Sequence, residues 1–127
     1  MVTKTKIGCD IVYIKRIEKL LLQDKFIERI FHETECKYCE KKVKKSSSYA
    51  ARFAAKEAFA KAIGSGLYHE GVGPRDIWIE NDASGKPILR VSEKLEEKLK
   101  VYHIKSWDVS LSHHEDYAMA VVVVSME

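Results

Sequence analysis

The chain has 127 residues, of which 46% are hydrophobic and 32% charged, and this length and composition predict a single domain over residues 1–127 with one continuous core. Its apolar runs are shorter than the ~20 residues that a membrane-spanning helix needs, and its first residues lack the apolar stretch of a signal peptide, so we expect a cytoplasmic protein with no membrane partner. Three cysteines without an export signal favour reduced thiols over a disulfide framework.

The charged residues are distributed unevenly along the chain. Residues 1–61 contain 15 Lys and Arg and 8 Asp and Glu, a net charge of +7, whereas residues 62–127 contain 7 and 11, a net charge of −4. A basic surface can raise the association rate of an anionic partner ~10 to 1,000-fold. Nucleic acids, phosphorylated cofactors and acidic proteins are therefore all possible partners on charge alone.

The first half of the chain predicts one strand followed by helices. Alternating apolar residues predict a short strand over residues 7–12, with Asp10 near its end. The next apolar residues recur at helical spacing, and the first helix has a basic outer side. The last helix is rich in alanine, and serines at positions 46–48 would cap its N-terminus. The predicted helical segments are residues 14–21, 26–31, 34–45 and 49–63.

The second half predicts mainly strands. Glycines and a proline in residues 64–74 end the alanine-rich helix and predict a loop. Turn-forming residues 82–85 join two short strands into a hairpin, and Ser92 is placed to cap a helix. Two alternating segments then predict strands that we expect at the centre of the sheet. The whole pattern indicates an α+β fold, an antiparallel sheet packed against helices.

Glu57 lies on a largely apolar side of the alanine-rich helix. At 100° per residue, Ala50, Phe53 and Ala54 share its face. A buried, unpaired carboxylate is costly, so Glu57 needs a cation or hydrogen-bond donors. One interpretation is an exposed helical ion pair with Lys61, four residues further on, worth ~0.2 to 0.5 kcal/mol. The other is a metal ligand.

Asp10 and His113 are further candidates, and each has a structural alternative. Asp10 precedes a predicted helix and would be a good N-cap. Together with Glu57 it would instead suffice for Mg²⁺, which one or two carboxylates usually hold with substrate phosphates and water. His113 ends a strand and is placed to bind phosphate or exchange a proton, or simply to form hydrogen bonds near the surface.

Four segments together resemble the holo-[acyl-carrier-protein] synthase family of phosphopantetheinyl transferases. They match the family in order and spacing over nearly the whole chain, and the alanine-rich block is highly specific. The resemblance implies a 4′-phosphopantetheinyl transferase-like fold. The segments are GCDIV at residues 8–12, RIE at 16–18, RFAAKEAFAKA at 52–62 and SLSH at 110–113.

The resemblance implies transfer of 4′-phosphopantetheine from coenzyme A to a serine of an apo acyl carrier protein, in support of fatty acid biosynthesis. It implies Mg²⁺ bound by Asp10 and Glu57, with Lys61 neutralising the pyrophosphate. Such phosphoryl transfer depends mainly on positioning and charge stabilisation. Glu35 is the candidate general base, acting directly or through water, although His32 stands where the family often has threonine.

The resemblance also implies contacts with the remainder of coenzyme A. Arg52 and His113 resemble positions that bind its phosphates, as Lys61 does for the pyrophosphate. Gly85 and Pro87 resemble the turn beside the adenine.

Carrier proteins of this class are acidic, so a basic surface is the expected docking site. The alternative is an ordinary solvated amphipathic helix. The resemblance further implies a homotrimer with active sites between subunits, and no nucleic-acid partner. The expected docking residues are Lys15, Arg16, Lys19, Lys25, Phe26 and Arg29.

Two other classes of function remain open on the residues alone. His32, Cys36 and Cys39 have helical spacing and would form a zinc site, although a fourth ligand is missing. A nucleic-acid-binding module is indicated by the basic first half and its lysines, although the aromatic residues form no obvious stacking platform. Those lysines are Lys41, Lys42, Lys44 and Lys45.

Overall fold

The computed structural model describes residues 4–64 and 67–127. A short 3-10 helix, Pro74–Asp76, precedes the second strand. None of the helices in the described part combines the length and apolar composition that a bilayer crossing requires. In chain order the elements are β1 (Lys4–Tyr13), α1 (Ile14–Leu20), α2 (Phe26–Ile30), α3 (Glu33–Glu40), α4 (Lys45–Ile63), β2 (Ile77–Asn81), β3 (Pro87–Val91), α5 (Glu93–Val101), β4 (Ile104–His114) and β5 (Tyr117–Met126).

The strands form two antiparallel sheets. The larger sheet has the order β1-β5-β4, and β2 and β3 form a separate hairpin. This confirms the predicted α+β fold, the hairpin and the central position of β5. The prediction that β4 is also central was wrong, because β1 occupies the other edge of β5 and leaves β4 at the edge of the sheet.

Helix α4 packs against one face of the larger sheet, where it contacts β1 and β5. Six of its buried residues are alanines, and small side chains allow a helix backbone to approach a sheet closely. The facing residues of β5 alternate along the strand and are equally buried. The buried alanines of α4 are Ala50, Ala51, Ala54, Ala55, Ala58 and Ala62.

Gly8 allows β1 to come into direct contact with the backbone of α4. A Cβ atom at Gly8 would lie 2.0 Å from the carbonyl oxygen of Ala58 and 2.7 Å from the backbone nitrogen of Ala62, so no side chain fits there. Because alternate residues of a strand point to the same face, Asp10 is directed toward the same helix as Gly8.

The junction between α3 and α4 differs from the prediction. Helix α3 ends at Glu40 rather than at residue 45, and α4 begins at Lys45, so the serines at 46–48 lie in its first turn. Cys39 and Tyr49 are both fully buried, and the Tyr49 hydroxyl donates to Glu40 Oε2 at 2.7 Å. Burying both residues requires the chain to turn between them, which ends α3 early.

The predicted loop over residues 64–74 includes Ser65 and Gly66, which lie outside the described residues. Gly64 is the C-cap of α4, as expected. Helix α5 also begins as predicted, because the Ser92 side chain accepts a hydrogen bond from the backbone N–H of Leu95 at 3.2 Å.

Candidate active site

Asp10 is held against α4 by Lys61. Lys61 Nζ donates to Asp10 Oδ1 at 2.9 Å and to the carbonyl oxygen of Cys9 at 3.1 Å. The capping alternative for Asp10 was wrong, since the N-cap of α1 is Tyr13 and no side chain caps that helix. Lys61 therefore bonds to a carboxylate and a carbonyl group of the neighbouring strand β1.

Glu57 is half-buried one turn before Lys61 on α4. Burial raises the pKa of its carboxyl group, and the negative charge of Asp10 raises this pKa further, whereas Lys61 and Arg16 act in the opposite direction. Lys61 bonds to Asp10 and follows Glu57 by about one helical turn, so the fold places both predicted carboxylates near one ammonium group. Glu57 therefore lies in a cluster of charged groups that contains Asp10, Lys61 and Arg16.

The two carboxylates of this cluster are chemically suited to a divalent cation. Carboxylate oxygens are the protein ligands that Mg²⁺ prefers, and two of them are enough when phosphates and water supply the rest. Residues 4–64 and 67–127 contain no group of three or more His, Cys, Asp or Glu side chains arranged to hold a metal. An ion at Asp10 and Glu57 would therefore take its remaining ligands from substrate and solvent.

Arg52 is buried on α4, nine residues before Lys61. Its guanidinium donates to Ser48 O at 3.0 Å and to Asn81 Oδ1 at 2.8 Å, and lies 4.2 Å from the centre of the Tyr38 ring. Arg52 Nε is buried without a hydrogen-bond partner among the described residues. Asn81 in turn donates to Gly85 O at 3.1 Å, which connects Arg52 to the hairpin turn.

The hairpin turn itself is held by Asp82. Its Oδ1 accepts hydrogen bonds from the backbone N–H groups of Ser84 and Lys86, both at 2.9 Å, and from the Ser84 hydroxyl at 2.7 Å. The Ser84 hydroxyl contributes most to lowering the pKa of Asp82. Gly85 has φ of +91°, which glycine adopts without strain, and Pro87 opens β3. The turn predicted to lie beside adenine is therefore well ordered.

A cavity of about 410 Å³ lies between α3 and the end of β2. It includes Tyr38 and Asn81, the two side chains that contact Arg52, and it adds three lysines. The sequence analysis assigns Lys41 and Lys42 only to nucleic-acid binding, because no local pattern indicates that they lie beside residues in contact with Arg52. The lining residues are Thr34, Lys37, Tyr38, Lys41, Lys42, Ile79, Glu80 and Asn81.

His113 lies at the exposed end of β4, as its position in the sequence predicted. It lines a cavity of about 240 Å³ together with Ile11, Tyr117 and Met119, among others. This cavity is different from the one beside Arg52. Within one chain, the structure therefore does not bring His113 and Arg52 to the same cavity.

Glu35 does not have the environment expected of a general base. Its carboxylate is fully buried, Oε1 accepts from Lys56 Nζ at 2.6 Å and from His32 N at 3.1 Å, and Oε2 accepts from Ile79 N at 3.0 Å. Lys56 also donates to Ile77 O. Both carboxylate oxygens are thus occupied inside the protein, which corrects the expectation that Glu35 meets the substrate.

Lys56 is a buried residue that the sequence analysis did not single out. Only 1% of its surface is exposed, and burial lowers its pKa while Glu35 opposes that change. The spacing of Lys56 three residues from both Phe53 and Phe59 was the available signal, because a lysine on an apolar helix face needs an internal partner.

The predicted docking residues share an exposed surface, with one exception. Phe26 is only 6% exposed and packs against Phe31 and Phe53, so it belongs to the core and its assignment to the docking surface was wrong. The exposed basic residues are Lys15, Arg16, Lys19, Lys25 and Arg29. Lys15, Arg16 and Lys19 line a cavity of about 430 Å³.

The proposed zinc ligands have other roles. His32 caps α3, since its Nδ1 accepts from Thr34 N at 3.1 Å, and its ring stacks on Trp78 at a centroid distance of 4.1 Å. Burial raises the pKa of Cys36, and raises that of Cys39 to about 12, which disfavours the thiolates that zinc requires. The described chain therefore holds no zinc site at these residues.

The closeness of Asp10, Glu57 and Lys61 can be tested without any substrate. We expect Asp10→Asn to lower the pKa of Glu57, because it removes a negative charge that disfavours ionisation, and Lys61→Met to raise it, because it removes a positive charge. NMR titration of the side-chain carboxyl carbon of Glu57 measures both shifts. A Glu57 titration unaffected by either substitution would show that these groups lie apart.

Comparisons with known proteins identify the family of this chain. A family model for the 4′-phosphopantetheinyl transferase superfamily matches residues 6–122. The holo-[acyl-carrier-protein] synthase of Geobacter sp. (strain M21) is 42% identical over 119 residues, which cover 92% of this chain and 94% of the relative.

Solved structures of similar proteins give the same result. Holo-[acyl-carrier-protein] synthase from Neisseria meningitidis superposes with a TM-score of 0.84 at 37% identity and covers 100% of both chains. The Helicobacter pylori enzyme, solved in complex with coenzyme A, gives a TM-score of 0.79 at 40% identity and covers 94% of this chain and 99% of that one. The chain belongs to the holo-[acyl-carrier-protein] synthase family, within the 4′-phosphopantetheinyl transferase superfamily.

Proposed function

We propose that this protein transfers the 4′-phosphopantetheine group of coenzyme A to a serine of an apo acyl carrier protein, as a single domain over residues 1–127. The observation that carries the proposal is the cluster of Asp10, Glu57 and Lys61 within a fold whose relatives are holo-[acyl-carrier-protein] synthases. The product is the holo carrier protein that fatty acid biosynthesis uses. Free thiols at Cys9, Cys36 and Cys39 fit a reducing, cytoplasmic compartment.

The reaction is a phosphoryl transfer. The serine oxygen attacks the β-phosphorus of coenzyme A, the bond from that phosphorus to the oxygen bridging the two phosphates breaks, and adenosine 3′,5′-bisphosphate leaves with the bridging oxygen. The serine proton passes to solvent water, because the Glu35 carboxylate is enclosed by its own partners. Positioning and charge stabilisation carry most of the catalysis in such reactions, so a covalent enzyme nucleophile is unnecessary.

Asp10 and Glu57 are the residues we assign to Mg²⁺, which would neutralise charge on the pyrophosphate. Lys61 is positioned to act beside them. Its side chain is 58% exposed although it bonds to Asp10, so its ammonium group is accessible to a phosphate oxygen. Lys61 therefore serves both to hold Asp10 and to bind the pyrophosphate.

The basic cavity beside Arg52 is suited to the adenosine part of coenzyme A. Lys41 and Lys42 line this cavity and offer donors to phosphates, and Arg52 contacts two of its other lining residues, Tyr38 and Asn81. Gly85 and Pro87 lie in the turn that Asn81 joins to Arg52. We assign these lysines to coenzyme A and not to nucleic acid.

The function is tested by mass spectrometry of an apo acyl carrier protein incubated with coenzyme A and Mg²⁺. We expect the carrier protein to gain the mass of one phosphopantetheine group while an equal amount of adenosine 3′,5′-bisphosphate forms. Asp10→Asn, Glu57→Gln or removal of Mg²⁺ by a chelator should each slow transfer about 100-fold or more, because each removes charge stabilisation from the transition state.

A surface substitution on α5 provides the control for these variants. Lys100 is exposed and its only described ion pair is with its neighbour Glu97, so Lys100→Gln should transfer at the wild-type rate. Failure of the wild-type protein to modify several bacterial carrier proteins would rule out the proposed activity. Full activity in chelator would rule out the metal.

The basic surface of α1 and α2 is the docking site that we propose for the carrier protein. Its exposed members include Lys15, Lys19 and Lys25, and an acidic partner complements them in charge. Arg16 belongs to the same surface and lies close enough to Glu57 to lower its pKa. A carrier protein bound there would place its serine beside the carboxylates.

Charge reversal separates this docking surface from the coenzyme A site. Arg29→Glu should raise the KM for the carrier protein about 10-fold and leave the KM for coenzyme A within about twofold, because rim charges act mainly on encounter and affinity. Arg16→Glu should also raise the KM for the carrier protein. Lys100→Glu introduces the same charge change on α5 and should alter neither constant. Equal increases in both KM values for Arg29→Glu would contradict the assignment.

An exposed apolar face of the larger sheet supports a homotrimer with active sites between subunits. Ile7 and Ile11 are 69% and 66% exposed, and Met119 and Tyr117 lie directly opposite Ile11 and Tyr13 on the paired strand. Contiguous apolar surface of this kind marks interfaces in soluble proteins. His113 lines a cavity with residues of this face, so a neighbouring subunit's coenzyme A is within its expected reach.

Light scattering of the purified protein tests the assembly. We expect the mass of three chains for the wild-type protein and a shift to smaller species for Ile11→Lys, because a charge in an apolar interface is left without a partner. Leu22 is 85% exposed on the loop after α1, so Leu22→Lys should leave the mass unchanged. A wild-type mass of one chain would refute the trimer.

A further inference from the structure

The hairpin β2–β3 has one strand edge that side chains cover. Strand β2 pairs with β3 only, in the part of the chain described. Ile77 O accepts a hydrogen bond from Lys56 Nζ, and Ile79 N donates to Glu35 Oε2 at 3.0 Å. These backbone groups are two residues apart, which is the repeat of one strand edge. The Lys56–Glu35 ion pair thus takes the place of a neighbouring strand.

The same face of α4 holds the far end of β2. Arg52 precedes Lys56 by four residues, so the two side chains leave the helix on the same side. Arg52 donates to Asn81 at the last position of β2, and Asn81 donates to Gly85 in the turn. Side chains on one face of α4 therefore form hydrogen bonds with both the first and the last residue of β2.

Glu57 lies about 100° further around the same helix. It faces the charged cluster with Asp10, whereas Lys56 faces the hairpin. Neighbouring residues of one helix thus connect the two regions that we assign to the two parts of coenzyme A. A shift of the hairpin relative to α4 would change the separation between those regions.

We propose that Lys56 and Glu35 are positioning residues, which fix the hairpin and its turn relative to Asp10 and Glu57 and so set the spacing of the coenzyme A site. This inference rests on the function proposed above. An apolar pair of similar size would fill the space, but it would leave Ile77 O and Ile79 N without partners and would not define the position of β2 along α4.

The test uses the double variant Glu35→Gln and Lys56→Met in the full chain. It keeps the side-chain volumes nearly constant, removes both charges together and leaves Ile77 O without its donor. We expect the Kd for adenosine 3′,5′-bisphosphate and the KM for coenzyme A to rise about 10-fold through misplacement, while the KM for the carrier protein stays within about twofold. Calorimetric titration with adenosine 3′,5′-bisphosphate measures binding independently of transfer.

A core variant separates positioning from loss of stability. Leu99 is buried in α5 and takes no part in the hydrogen bonds that hold β2 to α4 and Glu35. Leu99→Ala should lower the Tm while leaving the Kd for adenosine 3′,5′-bisphosphate unchanged at a temperature where both variants are folded. An unchanged Kd in the double variant, or an equal rise in Leu99→Ala, would overturn the positioning role.

Glu35→Gln alone covers the case in which the double variant does not fold. It is nearly isosteric and keeps Lys56 beside Ile77 O, so we expect a smaller rise in the same Kd, and no rise would overturn the inference. Failure of the proposed function has a different signature, since the wild-type protein would then not modify a carrier protein at all.

Discussion

The lack of a side chain at Gly8 is the constraint on which the arrangement of the site depends. Carbonyl and amide groups of α4 occupy the space where a Cβ atom would be, and overpacking of this kind costs roughly 1–3 kcal/mol in a well-packed interior. Two residues along β1, Asp10 consequently reaches Lys61 and acts on Glu57. The carboxylates meet because strand and helix backbones touch, so packing determines the electrostatics of the site.

The surroundings of Glu35 and Glu57 show how a structural carboxylate differs from one assigned to the active site. Glu35 accepts bonds from an ammonium group and two backbone N–H groups, so its charge is compensated within the fold. Glu57 instead shares Lys61 with Asp10, and burial raises its pKa. Residues whose pKa is perturbed by burial and a neighbouring charge are frequently functional, and Glu57 is such a residue.

Much of the fold followed from the sequence, because alternation and helical spacing report which side chains are buried. That Asp10 and Glu57 act together was implied only by the family resemblance, because no local pattern brings a strand residue and a helix residue 47 positions apart into one site. The errors arose where burial depends on distant residues. Phe26 was assigned to a surface by its basic neighbours, yet it packs on residues from other segments. Glu35 was assigned by a family motif, and its partner Lys56 is 21 positions away. Local sequence patterns do not indicate which distant residues will be in contact.

Helix α4 also fixes the distance between Arg52 and Lys61. Arg52 and Lys61 are nine residues apart in a continuous helix, which at 1.5 Å per residue separates their Cα atoms by about 14 Å along the axis. If both ends of one substrate bind to residues of this helix, the length of the helix between those residues sets the distance that the substrate must span. An inserted residue would add little distance but would turn everything beyond it by 100°, so evolution can vary the composition of this helix far more freely than its register.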